Sequence, residues 1–406
     1  MASKENDTMA ELRYGVVTYK GRPMGTLREE PGGGSSFEYD PGVALPIACA
    51  LPLETGRTTH PHGLIPVFAH LGPEGWLRDR QTAYADVDAN DDFGILLAFG
   101  RDCIGAIGIE DPQNHSLQVG LKPLASTLDA AAVGERTISG VQAKILCAGD
   151  LDQPRPARAD EAAPLIAKYP QHDLPDMIFN EAVTLELCRL LLGVDEVCQS
   201  KIGIVDQVEG VALIVDRFDR HGAEKLRCED FMQVLNRPPG LGHQGKYDAD
   251  YADIERALRH SAAPQIDARR VFLRLAVYVL LGNVDCHMKN WSLLEAPGGL
   301  RLSPVYDVVN GYIYGAKGYT TRFGLNINGV RRQWEDYDRA LLLSLAEPLG
   351  LPPPAAEAAL TALKRRKKRL AQRLSQSLRL SEDASYLYRM TVNQAWERLY
   401  GEPLYG

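Results

Sequence analysis

The chain has no CxxC or CxxxC pair. Its seven cysteines (Cys49, Cys103, Cys147, Cys188, Cys198, Cys228, Cys286) are odd in number and scattered. That usage argues against a disulfide framework and is expected of reduced thiols in a cytoplasm. No run reaches transmembrane length, since the best candidate, VFLRLAVYVLLGNVD, carries Arg274 and is too short. The opening MASKENDTMAEL lacks the apolar core of a signal peptide, so a cytosolic location with no membrane partner is expected. Positive charge is in deficit: a net charge of -8 argues against a general nucleic-acid binder and leaves room for one local basic patch. There is no internal repeat. The ordinary apolar and aromatic fractions argue against wholesale disorder, and 406 residues allow roughly two or three domains.

YGVVTYKGRPMGTLRE reads as two strands about a Lys-Gly turn. The PGGGSS that follows lacks the Lys-Ser/Thr of a phosphate loop and reads as a flexible loop. Mixed helix and strand signals continue to about residue 130. Strands are then expected through TISGVQAKILCA and APLIAKYP. FNEAVTLELCRLLLGV has helical spacing, with Asn180 as N-cap and Gly193 as stop. KIGIVDQVEGVALIVDRFD predicts a hairpin at Glu209-Gly210. Past Phe218 the pattern is mostly helical, apart from a hairpin in WSLLEAPGGLRLSPV turning at Pro297-Gly298-Gly299. The fold expected is α+β and two-lobed, a strand-rich lobe followed by a helical one. Residues 1–130 would form an extra N-terminal subdomain, 131–218 a strand-rich lobe and 219–406 a helical lobe.

What is present in concentration is chemistry. GNVDCHMKNWSLL, Gly282 to Leu294, places Asp285, His287, Lys289 and Asn290 directly after a strongly apolar helical run. Buried segments avoid such groups unless they are paired or bound to something. Asp285 and Asn290 stand five apart, as in the D-x-x-x-x-N loop of kinases, and the hairpin returns a second carboxylate, Asp307. Phosphoryl transfer needs a carboxylate to orient the attacking hydroxyl, the role of Asp285. It also needs hard oxygen ligands for Mg²⁺, here Asn290 and Asp307. Lys289 is near enough in sequence to reach the transferring phosphate. One histidine among carboxylates is poor zinc ligation, so His287 reads as structural or phosphate-side. The bland reading is that Asp285 and Asn290 only cap and turn a loop.

Upstream, Lys168 in LIAKYP sits where a strand lysine pairs with nucleotide phosphates, with Glu181 as its ion-pair partner. Otherwise it is a surface lysine. SGVQAK (Ser139, Gly140, Val141, Gln142, Ala143, Lys144) offers backbone N–H groups to phosphates. DRFDR, Asp216 to Arg220, lies where the lobes meet, with Phe218 able to stack on adenine. Its bland reading is an exposed salt-bridge cluster.

These pieces resemble the HipA toxin-type serine/threonine kinases from about Tyr14 to the C-terminus. The resemblance rests on TISGVQAK, IAKYP, NEAVTLELCRLLLG, LIVDRFDR, LRCEDFMQVL with the later KYD, GNVDCHMKNWSLL and LSPVYD. It implies a two-lobed, protein-kinase-like fold that uses ATP and Mg²⁺ to phosphorylate serine or threonine on a protein, as the toxin usually paired with a small helix-turn-helix antitoxin. Such toxins often target an aminoacyl-tRNA synthetase, arrest growth, and meet operator DNA through the antitoxin complex. By resemblance, Asp285 is the general base, His287 to Asn290 (with Met288 and Lys289) contact nucleotide and metal, and Tyr306 with Asp307 binds metal. The glycine loop is Ser139 to Lys144, the nucleotide lysine Lys168, and the lobe connection Asp216, Arg217 and Phe218. Relatives autophosphorylate a serine just before the loop glycine. Here the position is Thr137, with Ser139 nearby, and threonine is usable there but not equivalent. Asp216 stands where many relatives have Glu. The basic run KRRKKR, Lys364 to Arg369, is either a DNA contact within such a complex or a solvated helix face. Two alternatives stay open: a small-molecule or lipid kinase with the same loop, and a non-catalytic nucleotide-binding component of an antitoxin–DNA complex.

Overall fold

The computed structural model describes residues 12–113, 126–132, 142–158 and 161–405. Strands Arg57–His60, Gly34–Tyr39, Arg22–Glu30, Tyr14–Tyr19 and Ile107–Glu110 form the first sheet in that order, every neighbour antiparallel. Lys20 and Gly21 both take positive φ, 51° and 75°. This two-residue turn matches the right-handed twist of the strands it joins. PGGGSS is no loose loop: strand Gly34–Tyr39 begins inside it, and Gly34 pairs with Glu30. Val17, Leu27, Phe37 and Ile109 pack with Phe68 and Leu96 of the covering helices.

A second antiparallel sheet runs Arg155–Pro156, Lys144–Ala148, Leu165–Lys168, Val211–Asp216 and Ser200–Ile204. The hairpin expected at Glu209-Gly210 is present and joins its last two strands, with a longer turn running from Val205 to Gly210. Helix Met177–Leu192 follows Leu165–Lys168 and stops at Gly193. It starts earlier than expected: Asp176 is the N-cap, and Asn180 lies inside the helix, fully buried. Asn180 donates to the Asn310 carbonyl at 3.1 Å and accepts from the Asn310 N–H at 2.8 Å. A polar residue before an apolar run looks like a cap, but this one faces the core because it bridges two segments.

The centre of the third region is helix Pro264–Leu281, buried at every position from Arg274 onward. It is surrounded by helices Pro353–Lys364 and Glu382–Tyr400 and by the fully buried Trp291, Trp334 and Trp396. Each fully buried Leu or Phe here contributes about 1.5–3 kcal/mol. Gly282 ends the helix at φ +69°, and a Cβ there would lie 2.4 Å from Asn310 Oδ1. Glycine is therefore required on both conformational and steric grounds.

The region is less helical than its pattern implied. Cys228–Asp230 adds to the expected hairpin Ser292–Ala296 and Gly299–Leu302 as a third strand, and Arg322–Ile327 pairs with Val330–Gln333. These strands are short and rich in charge, so alternation is too brief to read. The basic run is a break between helices Pro353–Lys364 and Lys367–Leu374. Arg366 donates to the Leu190 carbonyl, Lys364 and Lys367 face Glu402, and Arg365, Lys368 and Arg369 are exposed. Among the described residues no helix is long and apolar enough to cross a membrane.

Candidate active site

A cavity of about 480 Å³ lies between the second sheet and the helical region, with a wall from the first subdomain. Lys168, the last residue of its strand, donates to Glu181 Oε1 at 2.6 Å and to Asp307 Oδ1 at 2.7 Å. The ion pair expected between Lys168 and Glu181 therefore forms, with Asp307 as a third member. Burial works against the lysine's charge, but Asp307 and then Glu181 more than restore it and hold its pKa above the ordinary value. Burial also opposes charge on Asp307, yet Lys168 and Lys144 keep its carboxyl well below the usual range. Glu181, 1% exposed, is shifted up by burial, and its Oε2 has no hydrogen-bond partner. Lys144 faces Lys168 on the neighbouring strand and is pushed down to about 8, chiefly by burial. Asp307 itself has φ +53°, a conformation that costs a non-glycine residue about 1–3 kcal/mol and concentrates at functional sites.

The second half of the site is the loop after Gly282. Asn290 Nδ2 donates to the Asp285 carbonyl at 2.7 Å and Trp291 Nε1 to the Cys286 carbonyl at 3.1 Å, so the loop is closed on itself. Tyr306 fastens it from outside by donating to the Lys289 carbonyl at 2.8 Å. The Asp285 side chain is left 48% exposed at the cavity edge. Its Oδ1 accepts from the Tyr247 hydroxyl at 2.8 Å and lies 3.8 Å from His287 Nε2. Burial pushes the His287 imidazole down in pKa, and its Nδ1 has no partner. Burial and then Asp285 push the Tyr247 phenol up.

At the lobe connection, Asp216 and Phe218 line the cavity with Ile104, Ile166 and Val215, and the rings of Phe218 and Tyr306 lie 5.3 Å apart. The DRFDR charges are not an exposed cluster. Arg217 pairs with Asp219 at 2.8 Å, and Arg220 bridges Asp219 and Asp102 at 2.8 and 2.9 Å, all with buried side chains. Phe218 lines the cavity together with Arg217 and Asp219, and Arg217 and Arg220 also anchor the connection to the first subdomain through the Cys103 and Gly105 carbonyls and Asp102.

The remaining expected residues divide. Gln142, Lys144 and His287 line the cavity, whereas Ala143 does not, and Met288 is fully buried in the helical core. Thr137, Ser139, Gly140 and Val141 lie outside the described residues. Lys289 lines the cavity, but its ammonium is already held by Glu74 Oε1 at 3.2 Å, Asp230 Oδ2 at 3.5 Å and His70 Nδ1 at 3.2 Å. Sequence reasoning gave no role to His70, Glu74, Asp230 or Tyr247. Asp230 and Tyr247 belong to the motifs LRCEDFMQVL and KYD, which were the available signal. His70 and Glu74 sit in an unremarked HLGPE stretch of the first subdomain.

The donor set suits Mg²⁺ and a nucleotide. Asp307 offers a carboxylate and Asn290 an amide oxygen, both hard donors, on one cavity. The bond from Asn290 Nδ2 to the Asp285 carbonyl commits its nitrogen end and leaves Oδ1 as the donor. That Asp307 already draws the Lys168 ammonium shows a position that attracts positive charge.

Architecture and site together define a two-lobed protein kinase with an added N-terminal subdomain. Residues 136–372 match the HipA-like C-terminal domain and residues 16–110 the HipA N-terminal domain. The chain belongs to the HipA family. It resembles the structure of Shewanella oneidensis HipA solved with HipB and operator DNA, with a TM-score of 0.74 at 19% identity, covering 95% of this chain and 97% of that one. By sequence it is similar to the serine/threonine-protein kinase toxin HipA of the same organism, 23% identical over 66% of this chain and 68% of that protein. A Sinorhizobium fredii protein named provisionally as a kinase, Y4mE, is 25% identical over 73% of this chain and 77% of its own length.

Proposed function

We propose that this chain transfers the γ-phosphoryl group of ATP to a serine or threonine hydroxyl of a protein, as the toxin of a toxin–antitoxin pair. The observation that carries the reading is the convergence on one cavity of Asp285, Asn290 and the Lys168–Glu181–Asp307 cluster. In this reading Asp285, half-exposed at the cavity edge, orients the acceptor hydroxyl and receives its proton. Lys168, kept charged by its carboxylates, neutralises nucleotide phosphates, and Phe218 and Tyr306 form the apolar side of the base pocket. Asn290 and Asp307 would hold Mg²⁺, which supplies charge neutralisation on the phosphate oxygens when bound.

The likeness to a HipA crystallised with HipB and operator DNA supports a helix-turn-helix antitoxin as partner, with DNA reached through that complex. A translation component such as an aminoacyl-tRNA synthetase as acceptor, and growth arrest as outcome, are part of the same reading. The experiment is transfer of labelled γ-phosphate from MgATP in host lysate, wild type beside Asp285→Gln. General-base catalysis contributes about 10²–10⁴-fold. A lysate band labelled by wild type and weakened by that factor in the variant is expected. Equal labelling would remove Asp285 from the role of base, and no protein label at all would favour a small-molecule acceptor.

A further inference from the structure

The KYD motif has no part in the scheme above, yet its tyrosine touches the proposed base. Tyr247 closes the short turn Leu241–Tyr247, and its hydroxyl donates to Asp285 Oδ1 at 2.8 Å. The ring is held from several sides. The Arg331 guanidinium lies 4.5 Å from its centroid, and the His287 ring meets it edge-on at 5.1 Å. Its carbonyl accepts from Asn326 Nδ2 at 3.3 Å. Arg331 is fixed in turn by the carbonyls of Phe323 and Arg322, at 2.9 and 3.1 Å. The neighbouring Lys246 lies 3.8 Å from Glu74 of the first subdomain. A half-exposed aspartate would otherwise be free to rotate.

We infer that Tyr247 is a positioning residue for phosphoryl transfer: its hydroxyl pins Asp285 Oδ1 so that Oδ2 faces the acceptor hydroxyl. A carboxylate has two oxygens, and engaging one with a rigid donor fixes the direction of the other. The inference rests on Asp285 as the base. It differs from a purely structural role, because the ring contacts need no hydroxyl and the hydroxyl bond serves only Asp285.

The test compares wild type, Tyr247→Phe, Asp285→Gln and the double variant, by initial rates of labelling of the host-lysate band at varied MgATP. Phe keeps the ring against Arg331 and His287, and a thermal melt checks that the fold survives. The expected result is a maximal rate about 10- to 100-fold lower for Tyr247→Phe with the KM for MgATP unchanged. The double variant should be no slower than Asp285→Gln alone, because the tyrosine acts only through that carboxylate. An unchanged rate overturns the proposal. So does a faster one, which would make the hydroxyl a blocker that the acceptor must displace. Multiplying effects in the double variant would show that Tyr247 acts elsewhere. If Asp285→Gln itself labels normally, the base assignment falls first, and a slow Tyr247→Phe would then refute action through Asp285 as well.

Discussion

Lys168 and Lys289 line the same cavity, and each is held between two carboxylates, but the surroundings differ. Lys168 makes bonds of 2.6 and 2.7 Å to Glu181 and Asp307. Asp307 is 43% exposed and sits at a strained positive φ. Lys289 is 3.2 and 3.5 Å from Glu74 and Asp230, whose side chains are 4% and 13% exposed. Around Lys289, therefore, neither carboxylate is easily turned to a ligand, and the cluster fastens the loop of Asp285 to the first subdomain. Around Lys168 one carboxylate is buried and permanent while the other is open to exchange. We propose that the same three residue types make a clasp in one place and a ligand site in the other.

Substituting each lysine by methionine should separate the two. Lys168→Met should lower transfer by about 10²–10³-fold, the usual loss when one preorganised charge is removed from a developing phosphoryl charge. Its affinity for a fluorescent ATP analogue should fall with it. Lys289→Met removes the nearer cation from buried Glu74 and Asp230, Glu74 keeping its 3.8 Å contact to Lys246. It should cost about 3–5 kcal/mol of stability in urea denaturation, with nucleotide affinity intact in the folded fraction. If Lys289→Met instead abolishes nucleotide binding at unchanged stability, the division between clasp and site is wrong.

A smaller effect sharpens the contrast through pH. His70 donates from Nε2 to the Arg237 carbonyl and accepts at Nδ1 from the Lys289 ammonium, and burial followed by Lys289 pushes its pKa down to about 4 from the ordinary 6.5. A histidine that is harder to protonate when folded adds nothing to the pH dependence above about 6.5. Below that the unfolded chain gains the proton first, so stability falls as pH drops towards 4. At 1.36 kcal/mol per pH unit the loss approaches about 3 kcal/mol. His70→Gln should flatten that part of the stability–pH curve between pH 6.5 and 4. A curve identical to wild type would mean that the imidazole is not held neutral.

How much of this was legible depends on sequence separation. The hairpins were readable because Lys20-Gly21 and Pro297-Gly298-Gly299 carry their own turn chemistry. The loop stood out because Asp285 to Asn290 compress four polar side chains behind an apolar helix. Lys168 and Glu181 lie only 13 residues apart on a strand and the next helix, so their pairing could be anticipated. Glu74 meets Lys289, and His70 meets it 219 residues along the chain, through tertiary packing that no local pattern encodes. The Asp307 backbone, the inward turn of Arg217 and the reach of Tyr247 to Asp285 are of the same kind. Each is decided by what surrounds the residue.

Asn180 offers the smallest test, and it bears on the site because its helix carries Glu181. An N-cap asparagine is replaced by serine with little loss, since both accept a hydrogen bond from the first turn. Asn180 instead uses both ends of its amide, donating to the carbonyl of Asn310 and to the Tyr314 hydroxyl and accepting from the Asn310 N–H. Serine is too short to span that distance and would strand buried groups on the segment that follows Asp307. Asn180→Ser should therefore cost about 1–3 kcal/mol in urea denaturation, the penalty of a buried polar group left unpaired. Neutrality would return Asn180 to a cap. A loss of that size places it in the joint between the helix of Glu181 and the bend at Asp307, where a small displacement would also weaken the hold on Lys168.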